Sequence, residues 1–228
     1  MHDKDDLPDT TDLVARFMPI PTGLVTDALS RLGLRGWMDD VLPLVPGTHV
    51  VGRARTIAFG PIRGAGKPQQ SMYALISRMA ARDVMVVGSG GTRDNLLGDN
   101  VGAFAERCGL NGIVTDSKVR DCSGLRELNL AVFCRGPGVR PPSEVEPRAY
   151  DVDVDCGGAQ VRPGDIIVGD DDGITVVPAD RAEEILTQIE DLMTFEAGME
   201  KAIRGGGTVE DIQSLLIKKK TVKRSSAV

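Results

Sequence analysis

The fold is constrained most by two short apolar runs that are each followed by polar residues. The first run is Val84-Met-Val-Val87 and the second is Gly112-Ile-Val-Thr115, and the sequence predicts a helix over residues 101–108 between them. Continuous apolar runs of this length are typical of parallel strands that are buried on both faces. Two such strands joined by a helix form a βαβ unit, whose right-handed crossover brings the loops after both strands to one sheet edge. We therefore expect an α/β protein with a ligand-binding crevice at that edge.

Charged residues occur at both places that should border this crevice. Gly98-Asp99-Asn100 precedes the helix, and Arg120-Asp121 follows the second strand after 20 intervening residues. The two carboxylates are hard ligands that suit Mg²⁺, whereas the guanidinium of Arg120 suits a carboxylate or enolate oxygen. The backbone N–H groups at the start of the helix favour an anion. The structural alternative is that the first segment is a turn and helix cap, and that Arg120 and Asp121 form an exposed ion pair.

Composition narrows the class of protein. A chain of 228 residues with 41% hydrophobic side chains can bury a full core, and we expect one domain. The net charge of −6 argues against nucleic-acid binding, which requires a basic face. The amino terminus is polar and no apolar run reaches 18 residues, so we expect a cytoplasmic protein that does not associate with membranes.

The scarcity of histidine restricts the chemistry. His2 and His49 are the only two histidines, so Ser-His-Asp and Cys-His mechanisms lack their usual base. The four cysteines form no Cys-x-x-Cys pair, and we predict reduced thiols rather than a zinc or iron–sulfur site. The glycine-rich segment 88–94 lacks the patterns of dinucleotide and P-loop sites. Acid–base chemistry therefore falls to carboxylates, a guanidinium and metal-bound water.

The remaining elements are predicted from periodicity and turn residues. Thr22 is predicted as the N-cap of a helix that Gly33 ends, and the arginines of the 50–59 strand as ion pairs. Three consecutive aspartates, residues 170–172, are interpreted as turn residues of a hairpin rather than as a cation site. We also predict helices over residues 69–80, 125–130 and 179–204, a last helix capped by Thr208, a strand over 131–134, a proline-rich connection over 135–147, a strand or hairpin within 150–161 and a hairpin within 166–177. The helix over 179–204 should have one apolar stripe, formed by Ile185, Leu186, Ile189, Leu192 and Met193.

The two charged segments and their spacing resemble the Gly-x3-Asp-x20-Arg-Asp signature of the RraA-like superfamily. Residues 22–33, 52–56 and 163–178 resemble it as well, so that the resemblance covers roughly residues 20–205. This superfamily includes divalent-metal pyruvate aldolases and the RraA regulators of RNase E. The resemblance implies a swivelling β/β/α domain with mixed sheets flanked by helices at residues 21–205. Residues 1–20 would form an N-terminal extension, and residues 206–228 a C-terminal helix and basic tail.

The resemblance also implies residue roles. Asp121 would ligate Mg²⁺ or Mn²⁺, and Arg120 would hold the keto oxygen that becomes the enolate. Asp99 would orient a metal-bound water that relays protons. Glu196, matched by its distance from Gly205, would reach the site from a neighbouring subunit of a homotrimer or of a hexamer of two trimers. The substrate carboxylate would bind the loop N–H groups of Gly98, Asp99, Asn100 and Val101.

The activity implied is that of a metal-dependent class II pyruvate aldolase, a lyase. It would cleave a 4-hydroxy-2-oxo acid of the 4-hydroxy-4-methyl-2-oxoglutarate or 4-carboxy-4-hydroxy-2-oxoadipate type to pyruvate and a second oxo acid. Oxaloacetate decarboxylation would be a side activity, because both reactions leave a pyruvate enolate. The alternative is a non-enzymatic RraA-type regulator that binds RNase E or another protein partner.

Three positions depart from the signature. Asn95 stands where the signature has glycine four residues before Asp99, and Ser117-Lys118 stand where relatives usually carry glycine and a small residue. Asparagine tolerates a positive φ better than most residues, so we expect the loop to be kept. Lys118 beside the site could alter substrate choice, which leaves the physiological substrate open.

Overall fold

The structure is a computed structural model that describes residues 10–62 and 71–222, with side chains up to residue 217. The helices are α1 (Thr11–Phe17), α2 (Thr22–Arg31), α3 (Met72–Ile76), α4 (Asp99–Arg107), α5 (Cys122–Glu127), α6 (Ala182–Arg204) and α7 (Val209–Val222). The strands are β1 (Leu42–Pro43), β2 (Val50–Pro61), β3 (Val84–Gly88), β4 (Asn95–Leu97), β5 (Gly112–Thr115), β6 (Lys118–Val119), β7 (Ala131–Cys134), β8 (Val145–Tyr150), β9 (Val154–Cys156), β10 (Ala159–Val161), β11 (Ile166–Asp170) and β12 (Gly173–Val177).

A mixed sheet of eight strands forms the centre of the molecule. Its order is β1-β7-β5-β3-β2-β11-β12, with β8 also paired to β2. β2, β3, β5 and β7 run parallel, whereas β1, β8 and β11 pair antiparallel to their neighbours. The long β2 pairs with β11 through its first residues and with β8 through its last. β1 also approaches β12, so the sheet nearly closes on itself. The predicted α/β class, with a mixed sheet flanked by helices, is confirmed.

Three hydrophobic cores fix the layers. The α4–α5 core lies under α3, α4 and α5, and Leu97, Ala105 and Leu125 belong to it. A central core lies between the sheet segments around Val86 and Phe133. The α2–α6 core covers the opposite face. It includes four buried residues of the predicted α6 stripe, Ile185, Leu186, Ile189 and Leu192, together with Phe17 of α1.

The predicted βαβ unit is confirmed. Every residue of β3 and β5 is buried, and the two strands pair in parallel with Val84 opposite Gly112. The hairpins β9–β10 and β11–β12 are confirmed too, with Gly157 and Gly158 both at positive φ in the first turn. Thr208 accepts a hydrogen bond from the Asp211 N–H at the start of α7, as predicted for its cap.

Helix boundaries account for most of the differences from prediction. α2 begins at Thr22 itself, so the prediction that Thr22 is the N-cap was wrong. Asp170 instead caps this helix from the β11–β12 hairpin, accepting hydrogen bonds from the Thr22 N–H (2.8 Å) and hydroxyl (2.7 Å). α5 lies three residues earlier than predicted, since it begins at Cys122. Met193, expected in the α6 stripe, is 53% exposed.

Asp170 and Asp171 of the β11–β12 hairpin act as hydrogen-bond acceptors, which agrees with the interpretation of this acidic segment as a turn. Burial alone would raise the pKa of Asp170, but the hydrogen bonds from Thr22 and from the Asp172 N–H outweigh it and lower that pKa. Asp171 accepts a hydrogen bond from the Gly47 N–H. His49 is exposed, whereas His2 and residues 69–70 of the predicted third helix lie outside the described residues. No helix within residues 10–62 and 71–222 has an apolar stretch that could cross a membrane.

Candidate active site

The loops that follow β3 and β5 meet at the carboxyl edge of the sheet. The Ser89 N–H, directly after β3, donates a hydrogen bond of 2.8 Å to Asp116, directly after β5. Beyond them, β4 and β6 form a second short parallel ladder, and the Arg120 N–H donates to the Leu97 carbonyl at 3.1 Å. Because this ladder holds the two chain segments side by side, Gly98-Asp99 and Arg120-Asp121 lie together, as the crossover argument predicted.

Two glycines allow these segments to approach closely. A Cβ atom on Gly98 would lie 2.5 Å from Asp121 Oδ2 and 3.2 Å from Arg120 Cγ. A Cβ atom on Gly124 would lie 2.9 Å from both Cβ and Oδ2 of Asp99. Any side chain at either position would displace an aspartate. Sequence reasoning identified Gly98 but missed Gly124. The only signal for Gly124 is that a glycine stands within the first turn of a helix, where no turn or helix end requires one.

Asp121 has a strained backbone. Its φ of 54° and ψ of 41° place this non-glycine residue in the left-handed region at the N-terminus of α5. Such a conformation costs about 1–3 kcal/mol and is concentrated at functional sites. The Asp121 carboxylate accepts a hydrogen bond of 3.2 Å from Arg120 Nε, and the two side chains are 46% and 52% exposed. A half-exposed ion pair contributes only about 0–1 kcal/mol, so stability does not account for the strain.

Asp99 is the first residue of α4, and its carboxylate lies across the start of the helix. Oδ1 accepts a hydrogen bond of 2.7 Å from the Asn100 N–H, while Oδ2 faces Gly124. Gly98 is the N-cap, so the predicted cradle of N–H groups does lie at a helix N-terminus. A substrate carboxylate bound there would share the Asn100 N–H with Asp99 or displace its carboxylate.

A cavity of about 390 Å³ opens beside Arg120 and Asp121. Val119, Cys122, Pro137, Gly138 and Val139 complete its lining. A larger cavity of about 690 Å³ lies at the amino ends of β3, β5 and β7, where His49, Arg82 and Arg126 line it. In α/β proteins with parallel strands, both open and closed, ligands bind at the carboxyl ends of the strands, which favours the smaller cavity as the reaction site.

The donor set beside this cavity fits a weakly caged hard cation. Within the described part of the chain, no group of three or more His, Cys, Asp or Glu side chains could hold a metal ion by itself. Mg²⁺ is commonly bound by one or two carboxylates together with water and substrate oxygens, so the half-exposed Asp121 suits it without a complete protein cage. Glu196 lies on the exposed side of α6, which packs on α2, whereas Asp121 opens α5 beside α4. That Glu196 approaches Asp121 from another subunit stays a prediction.

The departures from the signature have structural partners. Asn95 lies in β4 without a positive φ, so its tolerance of that conformation is not needed at this position. Its backbone N–H and its side-chain Nδ2 both donate to the Arg140 carbonyl, at 2.9 and 2.5 Å. Ser117 is buried, and the stem of Lys118 packs against Gly138. Segment 135–140, to which these contacts lead, was predicted only as a proline-rich connection.

Comparison with known proteins agrees with this geometry. A family model described as RraA-like, Aldolase/RraA, matches residues 22–176. The chain belongs to the RraA-like family. A protein of Halalkalibacterium halodurans named "putative 4-hydroxy-4-methyl-2-oxoglutarate aldolase" is 31% identical over 192 residues, which cover 84% of this chain and 89% of that protein.

Two solved structures extend the comparison. Streptomyces coelicolor RraAS2, described as an unusual member of the RNase ES inhibitor RraA protein family, is 33% identical, with a TM-score of 0.77. The alignment covers 83% of this chain and 96% of RraAS2. An uncharacterized protein of Pseudomonas syringae pathovar tomato is 26% identical with a TM-score of 0.78, over 90% of this chain and 98% of that one. These likenesses support the RraA-like fold, and the name of the first relative points to a lyase.

Proposed function

We propose that this protein is a divalent-metal-dependent class II pyruvate aldolase that cleaves a 4-hydroxy-2-oxo acid of the 4-hydroxy-4-methyl-2-oxoglutarate type. The observation that carries the proposal is the β4–β6 ladder, which joins Asp99 to Arg120 and Asp121 beside a cavity. The backbone strain at Asp121, which its half-exposed ion pair does not offset, supports the proposal. The close approaches at Gly98 and Gly124 support it as well, because they bring the aspartates together. The name of the Halalkalibacterium relative agrees.

In the proposed reaction the C3–C4 bond of the oxo acid breaks. Its electron pair remains on C3 of the pyruvate half as an enolate, the C4 hydroxyl loses its proton, and C4 becomes the keto carbon of the second oxo acid. A proton then returns to C3. Decarboxylation of oxaloacetate leaves the same enolate and releases CO₂, so one site lowers both barriers by stabilising that enolate.

Each charged or polar group of the site would have a separate role in this reaction. Arg120 is half-exposed at the cavity and offers a planar pair of donors to the oxygen that becomes the enolate. The N–H groups at the start of α4 would hold the substrate carboxylate. Asp99, at the same helix start, would accept and return the proton through a water molecule. A divalent metal ion held by Asp121 would supply positive charge next to the enolate oxygen.

The first prediction tests the metal and its ligand together. Asp121→Asn should lower pyruvate release by about 100-fold or more, because a neutral amide is a poorer ligand for a hard dication. Arg120→Lys should cost roughly 2 kcal/mol of transition-state stabilisation, because the charge stays but the planar fork is lost. Glu127→Gln makes the same carboxylate-to-amide change at an exposed position of α5 and should leave turnover unchanged.

Pyruvate release from 4-hydroxy-4-methyl-2-oxoglutarate and from oxaloacetate should be measured with chelator and after Mg²⁺ or Mn²⁺ is restored. Full activity in chelator-treated wild-type protein would refute the class II mechanism. Loss of activity in all three variants alike would indicate damage to α5 rather than a role for Asp121.

The second prediction concerns assembly. We propose that the active site is completed in a homotrimer, alone or paired as a hexamer, by Glu196 of a neighbouring subunit. In support, α7 packs on α6, and this pair leaves apolar side chains exposed, among them Met193 (53%), Ile203 (57%) and Ile217 (65%). A helix pair of that kind suits a subunit interface, and a ring closes a head-to-tail interface of this type.

Two inactive variants, Asp121→Asn and Glu196→Gln, should regain part of the activity when their subunits are exchanged, since some mixed interfaces would carry both wild-type residues. Each variant taken alone through the same exchange procedure is the control. No recovery, with exchange demonstrated by mass spectrometry, would mean that Glu196 does not act between subunits.

A regulatory function is the second candidate, and the 33% identity to RraAS2 is the observation that favours it. A regulator of this kind would bind a protein partner through its oligomer surface, for which a net charge of −6 suits a basic partner. Metal-dependent release of pyruvate distinguishes the two functions, because a non-enzymatic regulator would show none with any of the oxo acids.

A further inference from the structure

The cavity of about 690 Å³ at the amino ends of β3, β5 and β7, here called the amino-end cavity, is bordered by hydrogen-bonded chain segments. The Asn111 N–H, directly before β5, donates to the Asp83 carbonyl at 2.9 Å, and the Ala131 N–H of β7 donates to the Asn111 carbonyl at 3.3 Å. The Asn111 side chain donates to the Val51 carbonyl of β2 at 2.9 Å. These bonds join four neighbouring strands near their starts, so the edge of the sheet holds the residues around the cavity in place.

The lining of the amino-end cavity carries more cationic than anionic side chains. Arg82, Arg126 and His49 line it, and Glu106 is the carboxylate among the described lining residues. Glu106 already accepts a hydrogen bond of 2.6 Å from the Asn129 N–H. Neither arginine forms an ion pair with a carboxylate of the described residues. Two guanidinium groups therefore have their planar sets of donors available at one cavity.

Arg82 has a backbone conformation that arginine rarely adopts. Its φ is 68°, and the other non-glycine residues with positive φ in the described part of the chain are Asp40, Asp121 and Asp151. Aspartate tolerates the left-handed region better than arginine does, because its short side chain can hydrogen-bond to the local backbone. The backbone makes the turn, since the Arg82 N–H donates to the Gly109 carbonyl at 2.8 Å. Glycine would make the same turn without the steric cost, so the turn alone does not account for an arginine here.

The amino-end cavity is separate from the candidate active site. α4 begins at Asp99 in that site and has Glu106 in its last turn. α5 begins directly after Asp121 and has Arg126 in its last turn. Because Glu106 and Arg126 line the amino-end cavity, it lies at the far ends of the two helices that start at the site aspartates. A ligand bound there would not contact the reacting atoms.

We propose that the amino-end cavity binds a small organic anion with two negative charges, held by the guanidinium groups of Arg82 and Arg126. Each guanidinium offers paired N–H donors that match a carboxylate or a phosphate group. Val45, Leu110 and Leu128 also line the cavity and would contact the carbon skeleton of the ligand. A volume of about 690 Å³ is in the range of cavities that hold small organic molecules. The inference does not depend on the proposed aldolase function.

A dicarboxylate and a phosphate monoester share this chemistry, and binding measurements distinguish them. The probes are succinate and glycerol 3-phosphate, with butyrate as a monoanion that has as many carbon atoms as succinate. Isothermal titration calorimetry of the full chain, at about pH 8 with chelator and at constant ionic strength, should give a Kd about tenfold or more lower for at least one dianion than for butyrate. The dianion that binds more tightly identifies the acidic group. Dianions that bind no more tightly than butyrate would overturn the proposal.

Variants assign the binding to the amino-end cavity. Arg82→Gly and Arg126→Gln should each raise the Kd of the preferred dianion about tenfold or more, because one set of paired donors is lost. Arg93→Gln, at an exposed arginine outside the lining, is the matched control and should keep the Kd within about twofold. Arg120→Met, in the candidate active site, should keep it as well. A Kd that rises in Arg120→Met and is unchanged in the other two arginine variants would mean that the anion binds at the candidate active site, which would overturn the proposal.

Arg82→Gly also tests the argument from the backbone without any ligand. Removal of the side chain relieves the left-handed conformation, so the Tm of the ligand-free variant should rise by about 2–4 °C while its affinity for the dianion falls. A lower Tm would mean that the side chain stabilises the turn, which would overturn the role of Arg82. An unchanged Kd in Arg126→Gln would overturn the two-arginine site, whatever the stability of Arg82→Gly.

Discussion

Two arginine–aspartate pairs in this protein have similar composition and opposite surroundings. Arg120 and Asp121 lie at the carboxyl edge of the sheet with half of each side chain exposed. Arg55, on β2, pairs with Asp151, and these side chains are only 1% and 2% exposed. The aspartate of each pair has a left-handed backbone, with φ of 54° at Asp121 and 50° at Asp151. What differs is how many partners each pair has.

The buried pair has several hydrogen-bonding partners. Asp151 accepts from Arg55 Nε at 2.9 Å and Nη2 at 2.5 Å, and Asp83 accepts from Arg55 Nη1 at 3.5 Å. Burial alone would lower the pKa of Arg55, but the hydrogen bond to Asp151 together with the charges of Asp151, Tyr150 and Asp83 outweighs that effect, and the pKa is raised. Strain at Asp151 is thus offset by an ion pair in a low-dielectric interior, whereas strain at Asp121 has no comparable compensation. A strained and half-exposed pair is the one to expect at a reaction site.

The largest expected effect comes from removing each arginine in turn. Arg55→Met should lower the free energy of unfolding by about 3–5 kcal/mol, because Asp151 would remain buried without its main partner. Arg120→Met should change it by less than about 1 kcal/mol, as is usual for an exposed pair. Urea unfolding of both variants at one protein concentration measures the difference, and the fixed concentration removes the effect of assembly. Equal losses of stability would end the distinction between a structural and a functional pair.

Most of the fold could be predicted because its signals are local. β3 and β5 have apolar runs that fit only buried strands, and the α6 stripe repeats with the period of a helix. The meeting of Asp99 with Arg120 and Asp121 followed from the handedness of one crossover. Such features depend on residues close together in the chain, or on a rule that holds for nearly all α/β proteins.

The features that escaped prediction depend on contacts between distant parts of the chain. Asp170 caps α2 from 148 residues away, which periodicity around Thr22 does not reveal. Gly124 is required only because Asp99 packs against it, and segment 135–140 becomes part of the site only through β6. The contact of Asn95 escaped prediction for the same reason, since its side chain donates to the carbonyl of Arg140, 45 residues away.

A smaller effect should come from the two left-handed aspartates, with opposite signs. Asp121→Gly removes the side chain that makes the left-handed conformation costly, and should stabilise the fold by roughly 1 kcal/mol while abolishing turnover. Asp151→Gly removes the same backbone cost but leaves Arg55 without its closest carboxylate, so it should destabilise. Thermal unfolding of the two variants at matched pH gives the signs. Destabilisation by Asp121→Gly would mean that the carboxylate holds the loop for structural reasons, which would weaken its assignment as a metal ligand.

The last effect concerns alkaline pH and only the buried pair. Burial, followed by the nearby charge of Asp151, raises the pKa of Tyr150 to about 12, even though the guanidinium groups of Arg55 and Arg78 act to lower it. The unfolded chain would ionise this tyrosine near its ordinary pKa of about 10. A pKa that is higher in the folded state means that the contribution of Tyr150 to stability is complete below about pH 10 and is lost as the pH rises towards 12. The free energy of unfolding should therefore decline across that interval in the wild-type protein.

Tyr150→Phe should flatten the decline, although it also removes the hydrogen bond that Arg55 donates to the hydroxyl and so lowers stability at neutral pH. Tyr73→Phe, at the other tyrosine and partly exposed, is the matched control and should leave the decline in place. Activity should show no counterpart of this titration, because Tyr150 belongs to the Arg55 network and is absent from the described lining of the cavity at Arg120. A decline that persists unchanged in Tyr150→Phe would mean that some other group of the buried network titrates there, and the separation of the two arginine–aspartate pairs by pH would fail.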